Sequence, residues 1–368
     1  MTIARVDIFG YELTYAHGRY VMSGGRVIET LPSTVVRITT AEGVEGFGEV
    51  CPLGPAYLPA HAAGARAALR ELAPATVGLD PTNLAAVHAA MDRALMGHEY
   101  AKSAVDTACW DLLGKRAGLP VCALLGGRLQ DRFPLYVAVP LGSAREMVDV
   151  VAARRAEGIH RFQLKLGADP LADAERTRSV VESTGPEDLV VADANGGWRL
   201  RDAVVAARAL DGLERVFFEQ PCPTLEECLI VRERTTLPMV LDESIRGPDT
   251  LLRAYEAKAM EAFNLKLSKV GGLTRAKLMR DLAQVLGLSV TIEDAWGGDL
   301  VTAAVAHLAA STTTETLFTV SFMNDWTNEH VAGYRPRSEQ GWGSAPEGPG
   351  LGVEVDLEAL GRPLWSTA

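Results

Sequence analysis

The sequence predicts an α/β fold: a modified TIM barrel of (β/α)7β form, preceded by an α+β module. Three observations predict it. Short β-rich runs recur at a nearly constant interval through the second part of the chain. The segments between them, such as Ala203–Leu210 and Arg275–Leu286, repeat apolar residues at the 3.6-residue period of amphipathic helices. No glycine-rich phosphate loop follows the first run, as an open doubly wound sheet would require.

The elements follow in order. Ile3–Glu12 and Ser33–Thr40 alternate apolar and polar residues, and the turn residues Gly43, Gly46 and Gly48 lead to Glu49, so antiparallel strands are expected. Residues 60–118 are rich in Ala, Leu, Arg and Glu, and Ser103–Gly114 reads as one amphipathic helix. A turn at Gly126–Arg128 comes next. Eight runs then follow: Leu135–Val139, Arg161–Lys165, Leu189–Asp193, Val216–Glu219, Met239–Asp242, Ala262–Lys266, Ser289–Glu293 and Leu317–Ser321. Alternating β and α units imply parallel strands, and eight of them is the number that closes a barrel.

Composition narrows the function. The chain has 368 residues, 48% of them hydrophobic, which suits a large core. Its most apolar stretch, Leu300–Ala310, contains His307 and is much shorter than the ~20 residues of a membrane span. With 36 basic against 47 acidic residues, the net charge of −11 argues against nucleic-acid or anionic-membrane partners. Cys51, Cys109, Cys122, Cys222 and Cys228 form no CxxC, so reduced, buried thiols and a cytoplasmic location are expected.

The chemistry lies at the strand ends, where barrels of this kind build their active sites. Lys165, Asp193, Glu219, Asp242 and Lys266 end five consecutive runs at spacings of 28, 26, 23 and 24. Asp193, Glu219 and Asp242 fall on neighbouring strands and form an arc of carboxylates suited to a hard divalent ion, Mg²⁺. No His or Cys joins them, which argues against zinc. Asn195, two residues beyond Asp193, is expected to support this metal site by hydrogen bonding.

Lys165 and Lys266, on the second and sixth strands, are four apart around the ring and should face each other across the mouth. Strand parity points Lys266 inward and assigns Lys269 to the surface. Two bases on opposite faces of a metal-bound carboxylate suit proton transfer at the α-carbon through a metal-stabilised enediolate. A nearby cation is expected to lower the lysine pKa values. This chemistry is that of a racemase or epimerase. A metal-binding barrel without turnover is the reading from another class.

DANGGW (from Asp193), FEQPC, LDES and LKLSKVGGL together resemble the enolase superfamily, in its muconate-lactonizing subgroup. The resemblance covers nearly the whole chain. It implies an α+β capping domain at 1–128, a barrel at 129–335 and a C-terminal return at 336–368 that packs on the cap. Gln163-Leu-Lys165, CPLGPAYLPA, MSGGR and EDAWGGD resemble the branch handling proline-type substrates. The resemblance then implies a small substrate carrying a carboxylate and a cationic nitrogen, beside Gln163. Asp294 would pair with the nitrogen, and Tyr57 would close the pocket. Phe322 stands at the position of an aromatic cation–π partner, with Trp296 and Trp326 as substitutes. The leading expectation is 2-epimerisation of proline, 4-hydroxyproline or their betaines. The alternative is dehydration of cis-3-hydroxy-L-proline, with dipeptide epimerisation and muconate-type cycloisomerisation behind it. A homo-oligomer is also implied.

Overall fold

A computed structural model describes residues 1–367. Eight parallel strands run in chain order around one sheet: Val137–Val139, Arg161–Lys165, Leu189–Asp193, Val216–Glu219, Met239–Leu241, Ala262–Lys266, Ser289–Glu293 and Leu317–Val320, here barrel strands one to eight. A parallel bridge between Leu135 and Val320, with the Tyr136 amide donating to the Val320 carbonyl at 2.9 Å, joins the first strand to the last and closes the ring. A helical connection separates each pair of strands. The apolar stretch at 300–310 belongs to the helix Asp299–Ala310, which is buried along its whole length. No helix among the described residues is long and apolar enough to cross a membrane.

The cap is a four-stranded antiparallel sheet in which Ile3–Thr14 pairs with Thr30–Thr40 and with Trp365–Ser366, and Thr30–Thr40 pairs with Glu45–Val50. Helices Ala62–Thr76, Leu84–Ala94 and Glu99–Ala117 complete it. The helix expected to be amphipathic around Ser103–Gly114 is instead buried on nearly every side, including Lys102, Asp106 and Asp111. It lies between the cap sheet and the turn and helix that follow barrel strand six, so no face meets solvent. Its polar residues are therefore spent on partners. Asp106 accepts from the Thr274 amide at 3.0 Å, capping the helix Leu273–Leu286 from the other domain. Gly272 has φ +105°, and a Cβ there would collide with Asp106, so this glycine pair is a tight docking turn.

A second latch fixes the loop after strand seven. Glu49 of the cap accepts from the amides of Gly298 at 3.0 Å and Val301 at 3.2 Å, at the N-terminus of the helix Asp299–Ala310. Tyr11 and Ser33 hydroxyls hold the same carboxylate at 2.5 and 2.7 Å. The five cysteines are free and buried. His307 is also structural: buried between the Cys122 amide and the Leu351 carbonyl, it is pushed down to about 4 by desolvation.

Candidate active site

Strand register assembles the site. Asp193 is paired with Lys165 on one side and with Glu219 on the other, so these three side chains share one layer at the strand ends. Lys266 is paired in the same way with Glu293 on strand seven. Asp242 follows strand five, its backbone amide donating to the Gln220 side chain at 2.9 Å. That glutamine also receives the Ser244 amide and hydroxyl, and so ties together the loops after strands four and five.

Asp193, Glu219 and Asp242 are all buried. Asn195 donates to both oxygens of Asp193 at 2.8 Å, through its backbone amide and its side chain. The same Nδ2 reaches Glu243 at 3.2 Å. Glu219 receives only neutral amide donors: Gln163 at 3.0 Å to each oxygen, and Asn264 at 2.7 Å. Burial and the charges of Asp193 and Asp242 push Glu219 well above the usual carboxylate range. Asn195 Oδ1 and Glu243 Oε2 are buried without hydrogen-bond partners. Crowded carboxylates with spare oxygen acceptors and no thiolate or imidazole fit a hard divalent cation. Among the described residues, the one cluster whose ligand atoms lie within 4.8 Å of one another is elsewhere: His160, Glu187 and Asp188, at the opposite end of the strands. Arg155 pairs with both acids there, which makes that cluster an ion-pair network.

Each lysine rests against a carboxylate. Lys165 donates to Asp193 at 2.5 Å, and Lys266 donates to Asp242 and lies 3.2 Å from Glu293. Burial acts to lower both, but the adjoining carboxylates overcome it and hold both well above the usual lysine range. These directions reflect the carboxylates alone; the expected lowering belongs to the lysines with a cation on those same carboxylates. Asp242 is in turn held below the usual range, since Lys266 and Lys269 outweigh its desolvation.

Lys269 corrects the parity argument. Its side chain is only 5% exposed, and it donates to the Asp242 Oδ1 at 2.8 Å, the Asp242 carbonyl at 2.7 Å and the Asn264 carbonyl at 3.1 Å. Strand six ends at Lys266 and passes straight into the helical turn Leu267–Val270, so a two-residue alternation no longer applies at 269.

A pocket at the mouth is lined by Lys165, Lys266, Tyr57, Gln163, Asp294 and Trp296, among others. Tyr57 donates to Asp242 at 2.8 Å and accepts from Lys266, which ties the cap loop to the barrel floor. Asp294 faces the cavity, but its oxygens receive the Ser268 amide and hydroxyl and the Ala295 amide. Desolvation raises it to about 6 despite these bonds. Phe322 does not line the cavity. It packs edge-on against Phe133 at 5.9 Å, and Met323 and Trp326, in the 3₁₀ turn that follows, take that wall instead. Sequence reasoning also passed over Glu293, Tyr136 and Glu243. Glu293 ends a run just as the five chosen residues do, and that signal was available.

Residues 146–360 match the family described as "Enolase C-terminal domain-like", and residues 15–126 match "Mandelate racemase / muconate lactonizing enzyme, N-terminal domain". The chain belongs to the enolase superfamily. A cis-3-hydroxy-L-proline dehydratase from Roseibium aggregatum is 47% identical over 99% of each chain. An N-succinyl-L-Arg/Lys racemase from Bacillus cereus is 26% identical over 98% of this chain and 97% of its own. A solved superfamily structure from Roseovarius nubinhibens ISM, complexed with magnesium, superposes with a TM-score of 0.96 at 34% identity over 100% of both chains. Enolase-superfamily relatives of this kind are racemases, epimerases, cycloisomerases and dehydratases, and this chain is an enzyme of that isomerase or lyase type.

Proposed function

We propose that this superfamily member is a Mg²⁺-dependent cis-3-hydroxy-L-proline dehydratase. The observation that carries the reading is the full-length similarity to a dehydratase of that substrate at 47% identity. It moves the balance away from 2-epimerisation, which the sequence alone put first. Asp193, Glu219 and Asp242 would hold the ion, supported by Asn195. When bound, Mg²⁺ supplies positive charge against the substrate carboxylate as negative charge develops there.

The lysines suit this elimination. In the cis isomer the carboxylate and the 3-hydroxyl share one ring face, so the Cα hydrogen and the hydroxyl lie on opposite faces. One lysine Nζ takes the Cα proton, and the facing lysine Nζ gives a proton to the departing hydroxyl. The Cα–H and C3–O bonds break, a C2–C3 double bond forms, and water leaves. The resulting enamine tautomerises to the cyclic imine. Gln163 braces Glu219 beside Lys165, and Tyr57 closes the site over Lys266.

Proton NMR in D2O with Mg²⁺ tests the reading, using cis-3-hydroxy-L-proline, trans-4-hydroxy-L-proline, L-proline and their betaines. The expected result is conversion of the 3-hydroxy compound alone into the imine, lost on adding EDTA and restored by Mg²⁺. Deuterium entry at Cα with inversion and no loss of hydroxyl would establish an epimerase instead.

A further inference from the structure

The cavity wall formed by the loop after strand seven contains a buried hydrogen-bond donor that nothing in the protein satisfies. Trp296 is 2% exposed and lines the same cavity as both lysines, and its Nε1 has no hydrogen-bond partner. Buried indole N–H groups ordinarily find an acceptor, because leaving one unmet forfeits its hydration with nothing in return.

The ring is held firmly where it is. Trp296 meets Tyr20 at 5.4 Å, Trp326 at 5.7 Å and Tyr15 at 6.0 Å, all edge-to-face. Its backbone is pinned on both sides, at Ala295 by Asp294 and at Gly298 by Glu49. A donor fixed this way is presented to whatever enters the cavity.

Its place in the ring says what it meets. Strand seven is four strands from strand three, so Trp296 stands across the mouth from Asp193. A substrate with its carboxylate at Asp193, Glu219 and Asp242 and its α-carbon between the lysines extends its remaining atoms toward Trp296. The neighbouring Asp294 cannot donate there when ionised, and both its oxygens already receive bonds from Ser268 and Ala295.

The geometry points to Trp296 as the residue that recognises ring hydroxylation, its Nε1–H donating to the hydroxyl oxygen of the substrate's five-membered ring. This rests on the reading of the substrate as a hydroxylated proline. A site built around a buried donor discriminates against an analogue without the acceptor far better than apolar contact does.

The test is Trp296→Phe, which keeps an aromatic wall and removes the donor. Two quantities are compared with wild type: kcat/KM for cis-3-hydroxy-L-proline, and the inhibition constant of L-proline, which lacks the hydroxyl. The first is expected to fall by about tenfold while the second stays within about twofold. Trp326→Phe, which alters the same wall, is expected to shift both by one factor. Equal changes in both quantities for Trp296→Phe, or no change in either, would overturn the inference. Should that variant fail to fold, benzothienylalanine at 296, with sulfur in place of N–H, gives the same comparison at unchanged shape. A wild-type enzyme that neither dehydrates the hydroxylated compound nor binds L-proline would overturn the substrate reading, and this inference with it, before any variant is made.

Discussion

Lys165 and Lys266 are the same residue at the same kind of position, the last of a barrel strand, yet the two sides of the mouth around them differ. Lys165 has one carboxylate partner, Asp193, which Asn195 holds with two further bonds. Lys266 has two carboxylates, Asp242 and Glu293, and the Tyr57 hydroxyl from the cap, while Lys269 backs Asp242 from behind. Tyr136 donates to Glu293 and braces that side again. Racemisation asks both bases for the same task in alternate directions. Elimination asks them for different tasks, one accepting a proton and the other delivering one, and a lopsided mouth suits that division.

The largest expected effect tests the division itself. Lys165→Met and Lys266→Met should each lower dehydration by about 10³-fold or more. Deuterium entry at Cα of L-proline, followed by NMR, should survive in one variant and vanish in the other. Parallel loss in both would make the two sides equivalent after all.

Stability gives the next contrast. Asp242→Asn leaves both Lys266 and Lys269 short of a buried counter-charge, whereas Asp193→Asn leaves only Lys165 so. Breaking a buried pair costs about 3–5 kcal/mol, so denaturant unfolding should show Asp193→Asn within that range and Asp242→Asn, which strips a partner from two lysines, at or above its top.

A pH effect belongs to the Lys266 side. Asp294 is raised to about 6 by burial, so the folded state holds its proton more tightly than the unfolded chain does. Its contribution is fully present below the ordinary aspartate pKa near 3.8 and is lost as pH rises through about 6. Asp294→Asn should flatten the stability curve between those values, as read by thermal unfolding across pH. The smallest effect is expected from Tyr57→Phe. It removes the two bonds that the hydroxyl makes between cap and floor on the Lys266 side, and should raise KM for cis-3-hydroxy-L-proline by about threefold to tenfold with little change in folding.

What was legible in the sequence follows from how local each signal is. Strands of four or five residues ending in a charge identified Lys165, Asp193, Glu219 and Lys266, because parallel register places strand ends in one layer. Residues set by departures from regular structure were misread. Lys269 sits in a helical turn that starts the moment strand six ends, and Phe322 precedes a 3₁₀ turn that brings Met323 and Trp326 to the cavity instead. Partners supplied across the domain boundary leave no periodic pattern to read: Glu49 at the helix after strand seven was not foreseen, and Tyr57 over Lys266 was reached only through the resemblance. The Lys266 side drew most of its partners from those sources, so it was the less legible half of the site.

The strand Trp365–Ser366 completes the cap sheet by pairing with Asp7 and Ile8, and Thr367 accepts from the Val6 amide at 3.0 Å. The edge of Ile3–Thr14 is therefore covered by a strand from beyond the barrel, so the segments before and after the barrel are stitched into one sheet and the barrel lies within the loop of chain that this sheet closes.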